Sequence, residues 1–127
     1  MRFTKAVFYL AVFWGLLTLV PLYFMFNLIG KNDPPPITHA GFFYGFVGVG
    51  LAWQIAFFVI ARDPVRLRPM MIPCVIEKFS YGIAVGILVA MGRMHPQDLL
   101  FGVADTILGI FFVIAYLKTP RRNKVAG

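Results

Sequence analysis

Four long apolar stretches divide the chain, and short polar segments rich in proline and charge separate them. Each stretch has the length of roughly 20 residues that an α-helix needs to cross the hydrocarbon of a bilayer. Only Glu77, Lys78 and Asp105 are charged within them. The pattern predicts four transmembrane helices over Ala6–Ile29, Ala40–Ala61, Ile72–Gly92 and Leu99–Leu117.

The segments between these predicted helices are short, so consecutive helices should be antiparallel neighbours. We therefore predict an all-α fold, a polytopic four-helix up-down bundle, made by a single transmembrane domain over residues 1–127. Pro21 lies inside the first stretch. Because proline has no amide hydrogen to donate to Leu17, it should kink that helix.

The composition agrees with a membrane protein and excludes other classes. Hydrophobic residues make up 60% of the chain and charged residues 13%, too few charges to cover the surface of a soluble domain. Disorder requires low hydrophobicity and is also excluded. A single cysteine leaves no internal disulfide and no cysteine-cluster metal centre.

The net charge of +7 is unevenly distributed along the chain. Four crossings place Lys31 and Arg93 on one side of the membrane and the cations of the termini and second loop on the other. Lysine and arginine collect in cytoplasmic segments, so both termini are predicted to be cytoplasmic, in a bacterial-type inner (plasma) membrane. These cations lie at membrane edges, which argues against nucleic-acid binding. The cytoplasmic set is Arg2, Lys5, Arg62, Arg66, Arg68, Lys118, Arg121, Arg122 and Lys124.

Small residues recur at helical spacing in the last three predicted helices. Glycine lets two helix backbones approach closely, which marks helix contacts in membranes. The predicted helix-packing positions are Gly45, Gly48, Gly82, Gly86, Gly102 and Gly109.

Asp105 is the first candidate for ligand binding. It lies seven residues after Asp98, or about 10 Å into the membrane along a helix. A carboxylate at that depth needs a partner, and Tyr23, Tyr44 and Arg93 are the candidates. Two interpretations stay open: a site for a proton, a cation or a polar group of a lipophilic ligand, or a buried hydrogen bond that fixes helix register.

Glu77 is the second candidate, one turn from the opposite membrane surface. Lys78 is its neighbour in sequence and points about 100° away, so Arg62 and Lys118 are the expected partners of Glu77. Lys78 is expected to extend toward the nearby membrane surface. Two interpretations of Glu77 stay open: an ion pair that joins helix ends, or a ligand site. The predicted ligand-binding set is Asp105, Glu77, Gln54 and Tyr23.

The sequence gives little indication of a metal site, a haem site or a catalytic site. His39 and His95 are predicted at the membrane edge without metal-ligand spacing, so no metal site is predicted, although either histidine is physically able to ligate a haem or chlorophyll-type ring. The chain has no phosphate-binding loop, nucleophile elbow or zinc-protease motif. We predict no catalytic residue and lean against an enzyme; a quinone or pigment is the cofactor class considered.

The layout of four short helices, cytoplasmic termini, Glu77 early in the third helix and Asp105 in the fourth resembles the small DoxX-like membrane proteins. The resemblance covers the whole chain at the level of hydropathy. It implies a four-helix bundle whose buried carboxylates face a lipophilic ligand. Some DoxX-like proteins accompany quinone-linked oxidoreductases.

Three functions follow as hypotheses. The first is a non-enzymatic accessory or assembly subunit of a larger membrane complex, favoured by glycine-rich helix faces and minimal loops. The second is a binder or carrier of a lipophilic small molecule such as a quinone, a sterol-like lipid or a pigment. The third is an oligomeric proton- or cation-coupled transporter. The expected partners are membrane lipid and other membrane subunits or copies of this chain.

Overall fold

The computed structural model describes residues 2–121, and this part of the chain is helical without β-strand. Four segments within it are long and apolar enough to cross a membrane: Arg2–Phe24, Ala40–Arg62, Arg68–Ala90 and Pro96–Lys118. The α-helices are α1 (Arg2–Leu19), α2 (Phe26–Asn32), α3 (Ala40–Arg62), α4 (Met71–Ala90) and α5 (Leu99–Lys118).

The first predicted helix is broken in the structure. Instead of one helix over Ala6–Ile29, α1 ends at Leu19, a 3-10 turn covers Val20–Phe24, and α2 begins at Phe26. Pro21 lies at the start of the turn, where the missing amide hydrogen removes an α-helical hydrogen bond. The prediction of a kinked continuous helix was therefore wrong: the chain changes helix type and then starts again.

The buried core lies toward one end of the molecule. Phe8 of α1 stacks on Phe112 of α5 with ring centroids 4.4 Å apart, and Phe57 of α3 meets Phe112 edge-on at 5.1 Å. All three rings are fully buried. Around them are buried side chains from all four long helices: Val7, Ala11, Ile60, Ala61, Met71, Cys74, Leu108 and Ala115.

Three parts of the chain meet beside this core. The hydroxyl oxygens of Thr4 and Thr119 are 2.9 Å apart, which joins the start of α1 to the end of α5. Arg68, just before α4, donates from Nε to the Tyr116 carbonyl at 3.0 Å. We call this the basic end, because it gathers Arg2, Lys5, Arg62, Arg66, Arg68, Lys118 and Arg121. Arg122 and Lys124, assigned to the same side from the sequence, lie outside the described residues.

The helices form two antiparallel pairs, α1 with α3 and α4 with α5. In the second pair a Cβ on Gly82 would collide with Thr106, and one on Gly102 would lie 2.9 Å from Val85. The pairs share the core at the basic end. At the opposite end their loops meet where His95 Nε2 lies 3.0 Å from Asp33 Oδ1. Between these two regions a space remains.

The predicted packing glycines separate into three groups. Gly82, Gly102 and Gly109 lie in the contact between α4 and α5. A Cβ on Gly48 would make ordinary contact with the Tyr23 hydroxyl at 3.7 Å. Gly45 and Gly86 have open space where a Cβ would be, so neither marks a contact between the described helices.

Candidate functional site: a cavity between two helix pairs

The space between the two helix pairs is a cavity of about 530 Å³. It begins beside the buried core and extends to the end opposite the basic end. Most of its wall is apolar, as expected for a small-molecule site. Every α-helix contributes to that wall, with side chains that include Trp14, Leu22, Ile29, Phe46, Tyr81 and Phe101.

Lys78 is the cation on the cavity wall. Its side chain is 4% exposed, and Nζ lies 3.5 Å from Asp105 Oδ1, within hydrogen-bond distance. Nζ also lies 3.7 Å from Glu77 Oε2, close enough for an ion pair but too long for a hydrogen bond. The Phe57 ring centroid is 5.2 Å from the same atom. One ammonium thus serves two carboxylates.

This arrangement corrects two expectations about Lys78. It was expected to reach the near membrane surface, yet it points into the protein, because Glu77 and Asp105 together attract it. It was also excluded as the partner of Glu77 on helical geometry. That argument held for Cβ directions, but the long flexible side chain of Lys78 brings its Nζ back to Glu77.

The expected partners of Glu77 make other contacts. Arg62 Cζ is 5.9 Å from the Phe58 ring centroid, and Lys118 Nζ is 4.8 Å from that of Phe3. Both residues are exposed at the basic end, and neither lines the cavity. The predicted pairing of Glu77 with Arg62 or Lys118 was wrong.

Asp105 also differs from expectation in its partner. Tyr23 stacks with Tyr44 at a centroid distance of 6.1 Å, and neither ring lines the cavity. Arg93 is exposed in the loop before α5. The predicted partners of Asp105 were therefore wrong, and Lys78 takes their place.

Gln54 also lines the cavity and is 2% exposed. Its Nε2 donates to the Gly50 carbonyl at 2.9 Å. A Cβ on Gly15 would overlap the Gln54 amide, so glycine at position 15 makes room for this side chain. Among the described residues, two buried side-chain oxygens find no hydrogen-bond partner, Gln54 Oε1 and Glu77 Oε2.

The opposite end of the cavity is also acidic. Asp33 and Asp98 line it, and His95 Nε2 contacts both Asp33 Oδ1 and, at 3.1 Å, the Pro34 carbonyl. His39 is exposed and lies against Phe42. No group of three or more metal-ligating side chains occurs between residues 2 and 121.

Three of the four predicted ligand-binding residues therefore line one cavity: Asp105, Glu77 and Gln54. Tyr23 does not. Sequence reasoning missed Lys78 and Tyr81 as wall residues, and the signal for Lys78 was present: a charge inside an apolar stretch needs a partner inside the protein. The single cysteine of the chain, Cys74, lies in the core and does not line the cavity. Its Sγ is 3.1 Å from the Met70 carbonyl oxygen.

Comparison of the chain with protein-family models, curated proteins and solved structures gives no match. Functional inference therefore depends on the cavity itself. Its apolar wall suits the body of a lipophilic molecule, and its polar wall group can fix the orientation of a head group.

Proposed function

We propose that this protein binds a lipophilic small molecule in the cavity between its two helix pairs. The observation that carries the proposal is an apolar cavity of about 530 Å³ with a Lys78–Glu77–Asp105 group in its wall, in which Lys78 is buried and the two carboxylate side chains are 22% and 14% exposed. Placing three charged side chains within membrane-spanning segments is costly, and a packed core needs none of them. A quinone, a sterol-like lipid and a pigment are the molecules considered from the sequence.

The same proposal places the four spanning segments across a membrane as an up-down bundle with both termini cytoplasmic. Two arguments support it. The cations gather at the basic end, and lysine and arginine favour the cytoplasmic side. The outward surfaces of the helices carry large apolar side chains such as Phe13, Phe42 and Leu117, which are 66%, 79% and 71% exposed. A bacterial-type inner membrane remains the expected location.

The proposal is tested by filling the cavity. Thr18 lines the cavity and is half-buried, so Thr18→Phe places a ring inside it. Val49 is 61% exposed and does not line the cavity, so Val49→Phe is the matched control. Each protein is extracted gently, and native mass spectrometry counts small molecules retained per chain. We expect Thr18→Phe to retain about tenfold fewer small molecules per chain than wild type, because the added ring fills space that the ligand would occupy.

Two outcomes contradict cavity binding. One is a wild-type protein that retains no small molecule after extraction into lipid nanodiscs. The other is equal retention by Thr18→Phe and the control Val49→Phe. A melting temperature measured for each variant shows whether Thr18→Phe is folded, and an absorption spectrum of the same sample identifies a quinone or pigment.

The accessory-subunit hypothesis, which the sequence favoured, stays a prediction, as do the transporter hypothesis and the DoxX-like resemblance. A specific observation favours the binder over them: three residues chosen from the sequence as ligand-binding candidates line one cavity. Stoichiometric protein partners in the native mass spectrum would instead favour the accessory subunit.

A further inference from the structure

The charges around the cavity are distributed very differently from those of the whole chain. The chain has 12 Lys and Arg against five Asp and Glu. Four of those five acids line the cavity, namely Asp33, Glu77, Asp98 and Asp105, while Asp63 does not. Lys78 is the only lysine or arginine among the described residues in its wall. A strongly basic protein thus encloses an acidic cavity.

The acidic excess persists at the buried group. Lys78 hydrogen-bonds Asp105 and lies beyond hydrogen-bond distance from Glu77 Oε2, which has no other such partner among residues 2–121. One ammonium facing two carboxylates leaves one negative charge uncompensated. An uncompensated carboxylate in an apolar surrounding is neutralised by a proton unless a second cation lies close by, so a bound cation keeps both carboxylates charged.

Two residues of the cavity wall have buried side-chain oxygens without a hydrogen-bond donor in the described part of the chain. Gln54 Oε1 and Glu77 Oε2 lack donors among the described residues, and Gln54 is 2% exposed. Glu77 and Asp105 also line the cavity as carboxylates, so a head group that donates hydrogen bonds suits this part of the wall better than one that accepts them. A carboxylic acid head would add a like charge, and a quinone carbonyl would add a further acceptor, so neither complements it.

We infer that the occupant of the cavity is a lipophilic ammonium compound whose protonated amine lies beside Glu77. The inference rests on the proposed function and names its ligand class. An ammonium supplies both missing elements, a positive charge and N–H donors, while an alcohol supplies only the donor. The apolar walls suit an alkyl or ring body, which a hydrated metal ion lacks.

The acidic opposite end fits the same ligand. Asp33 and Asp98 line the cavity where it approaches the loops, whereas Lys31 and Arg93 of the same end are exposed and do not line it. An incoming cation therefore meets negative charge in the wall before it reaches Glu77 and Asp105. At the loop end of the cavity His95 contacts Asp33. At the end beside the core, Lys78 contacts Asp105. Clefts lined by one sign of charge concentrate ligands of the opposite sign.

The test compares three probes that share one alkyl chain and differ in the head group: dodecylamine, dodecanol and dodecanoic acid. Each is used radiolabelled at neutral pH with the full chain in nanodiscs of zwitterionic lipid, and binding to empty nanodiscs is subtracted. Glu77→Gln keeps the shape of the side chain and removes its charge. Asp63→Asn, the one acid outside the cavity, is the matched control.

We expect saturable binding of dodecylamine to wild type and Asp63→Asn. Glu77→Gln should bind it about tenfold more weakly or worse, because a hydrogen-bonded ion contact is lost. Dodecanoic acid should show no saturable binding. Equal binding of the alcohol or acid, or an unchanged affinity in Glu77→Gln, overturns the ammonium inference.

The two proposals fail differently. If lipophilic molecules are retained and Thr18→Phe displaces them while dodecylamine has no advantage over dodecanol, cavity binding stands and the ammonium inference falls. If Thr18→Phe displaces nothing, the proposed function itself is wrong. Melting temperatures of Glu77→Gln and Asp63→Asn confirm that both variants are folded before binding is compared.

Discussion

Lys78 shows how a single side chain sets the character of the cavity. An apolar residue at this position would leave Glu77 and Asp105 facing each other without a cation. Lysine reaches both carboxylates because its stem is long and flexible, and its ammonium also lies over the Phe57 ring. The position therefore connects α4 with α5 and with α3.

Replacing Lys78 with methionine keeps the length of the side chain and removes the charge. We expect Lys78→Met to lower the free energy of unfolding by about 3 kcal/mol, because breaking a buried ion pair leaves its partners uncompensated. Titration with a denaturing detergent, followed by circular dichroism, measures the change. Arg66→Met is the control, since the Arg66–Asp63 pair is 63% and 53% exposed and surface pairs contribute little. An equal loss in both variants would contradict a structural role for the buried pair.

The free-energy cost of a charged side chain in an apolar segment explains which features of single residues could be predicted from the sequence. The carboxylates were found from the sequence because a charge in an apolar stretch is rare and expensive. Their partner was not found, because helical geometry fixes Cβ directions and leaves the end of a lysine side chain free. Only the packed positions of α4 and α5 decide which carboxylate the ammonium reaches.

At the scale of helices, glycine spacing identifies the contact between α4 and α5 but not its limits. Gly82 and Gly86 are one turn apart and look equivalent in the sequence. In the structure Gly82 faces Thr106 and the Gly102 carbonyl, whereas Gly86 faces open space. The difference arises because a helix contact covers only one side of a helix.

Adding side chains at these two glycines separates their roles. Gly82→Leu should destabilise the protein by about 2 kcal/mol, because a Cβ there collides with Thr106 and forces α4 from α5. Gly86→Leu should cause no loss, since its Cβ meets nothing and leucine is the better helix former. Thermal unfolding in one detergent measures both. A larger loss in Gly86→Leu would show that this face contacts another chain.

Pro21 also acts at the scale of helices, because the helix break at this residue leads to α2, which lines the cavity. The 3-10 turn at Val20–Phe24 separates α1 from α2, and residues of α2 such as Leu28 and Ile29 then line the cavity. The sequence predicted a kink from the missing amide hydrogen. It did not predict the change to 3-10 geometry, because the direction of the following segment depends on packing against Phe43 and Tyr44.

For the whole molecule, the two charged populations lie in different places. Most cations of the described residues gather at the basic end, apart from Lys31, Lys78 and Arg93, and four of the five acids line the cavity. The cations of the basic end support the proposed orientation in the membrane, and the acids of the cavity wall support the proposed ligand. The net charge of +7 describes neither by itself.

The proposed orientation is tested with single cysteines in a Cys74→Ala background. Asp63→Cys lies at the basic end and His39→Cys at the opposite end, both at exposed positions. A membrane-impermeant maleimide should label His39→Cys in intact cells and Asp63→Cys only after permeabilisation, because the proposed orientation puts the basic end on the cytoplasmic side. The reverse labelling pattern would invert the topology, and labelling of both in intact cells would contradict four crossings.

The sequence by itself determined the helical class, the presence of four segments long and apolar enough to span a membrane, and the carboxylates in them, because these follow from local hydropathy and from the cost of a charge in hydrocarbon. Tertiary structure decided the rest: the break after Leu19, the partner of each carboxylate and the cavity. The physical reason is that a cavity exists only where packed helices fail to meet. That failure depends on the relative position of two helix pairs, which no local pattern records.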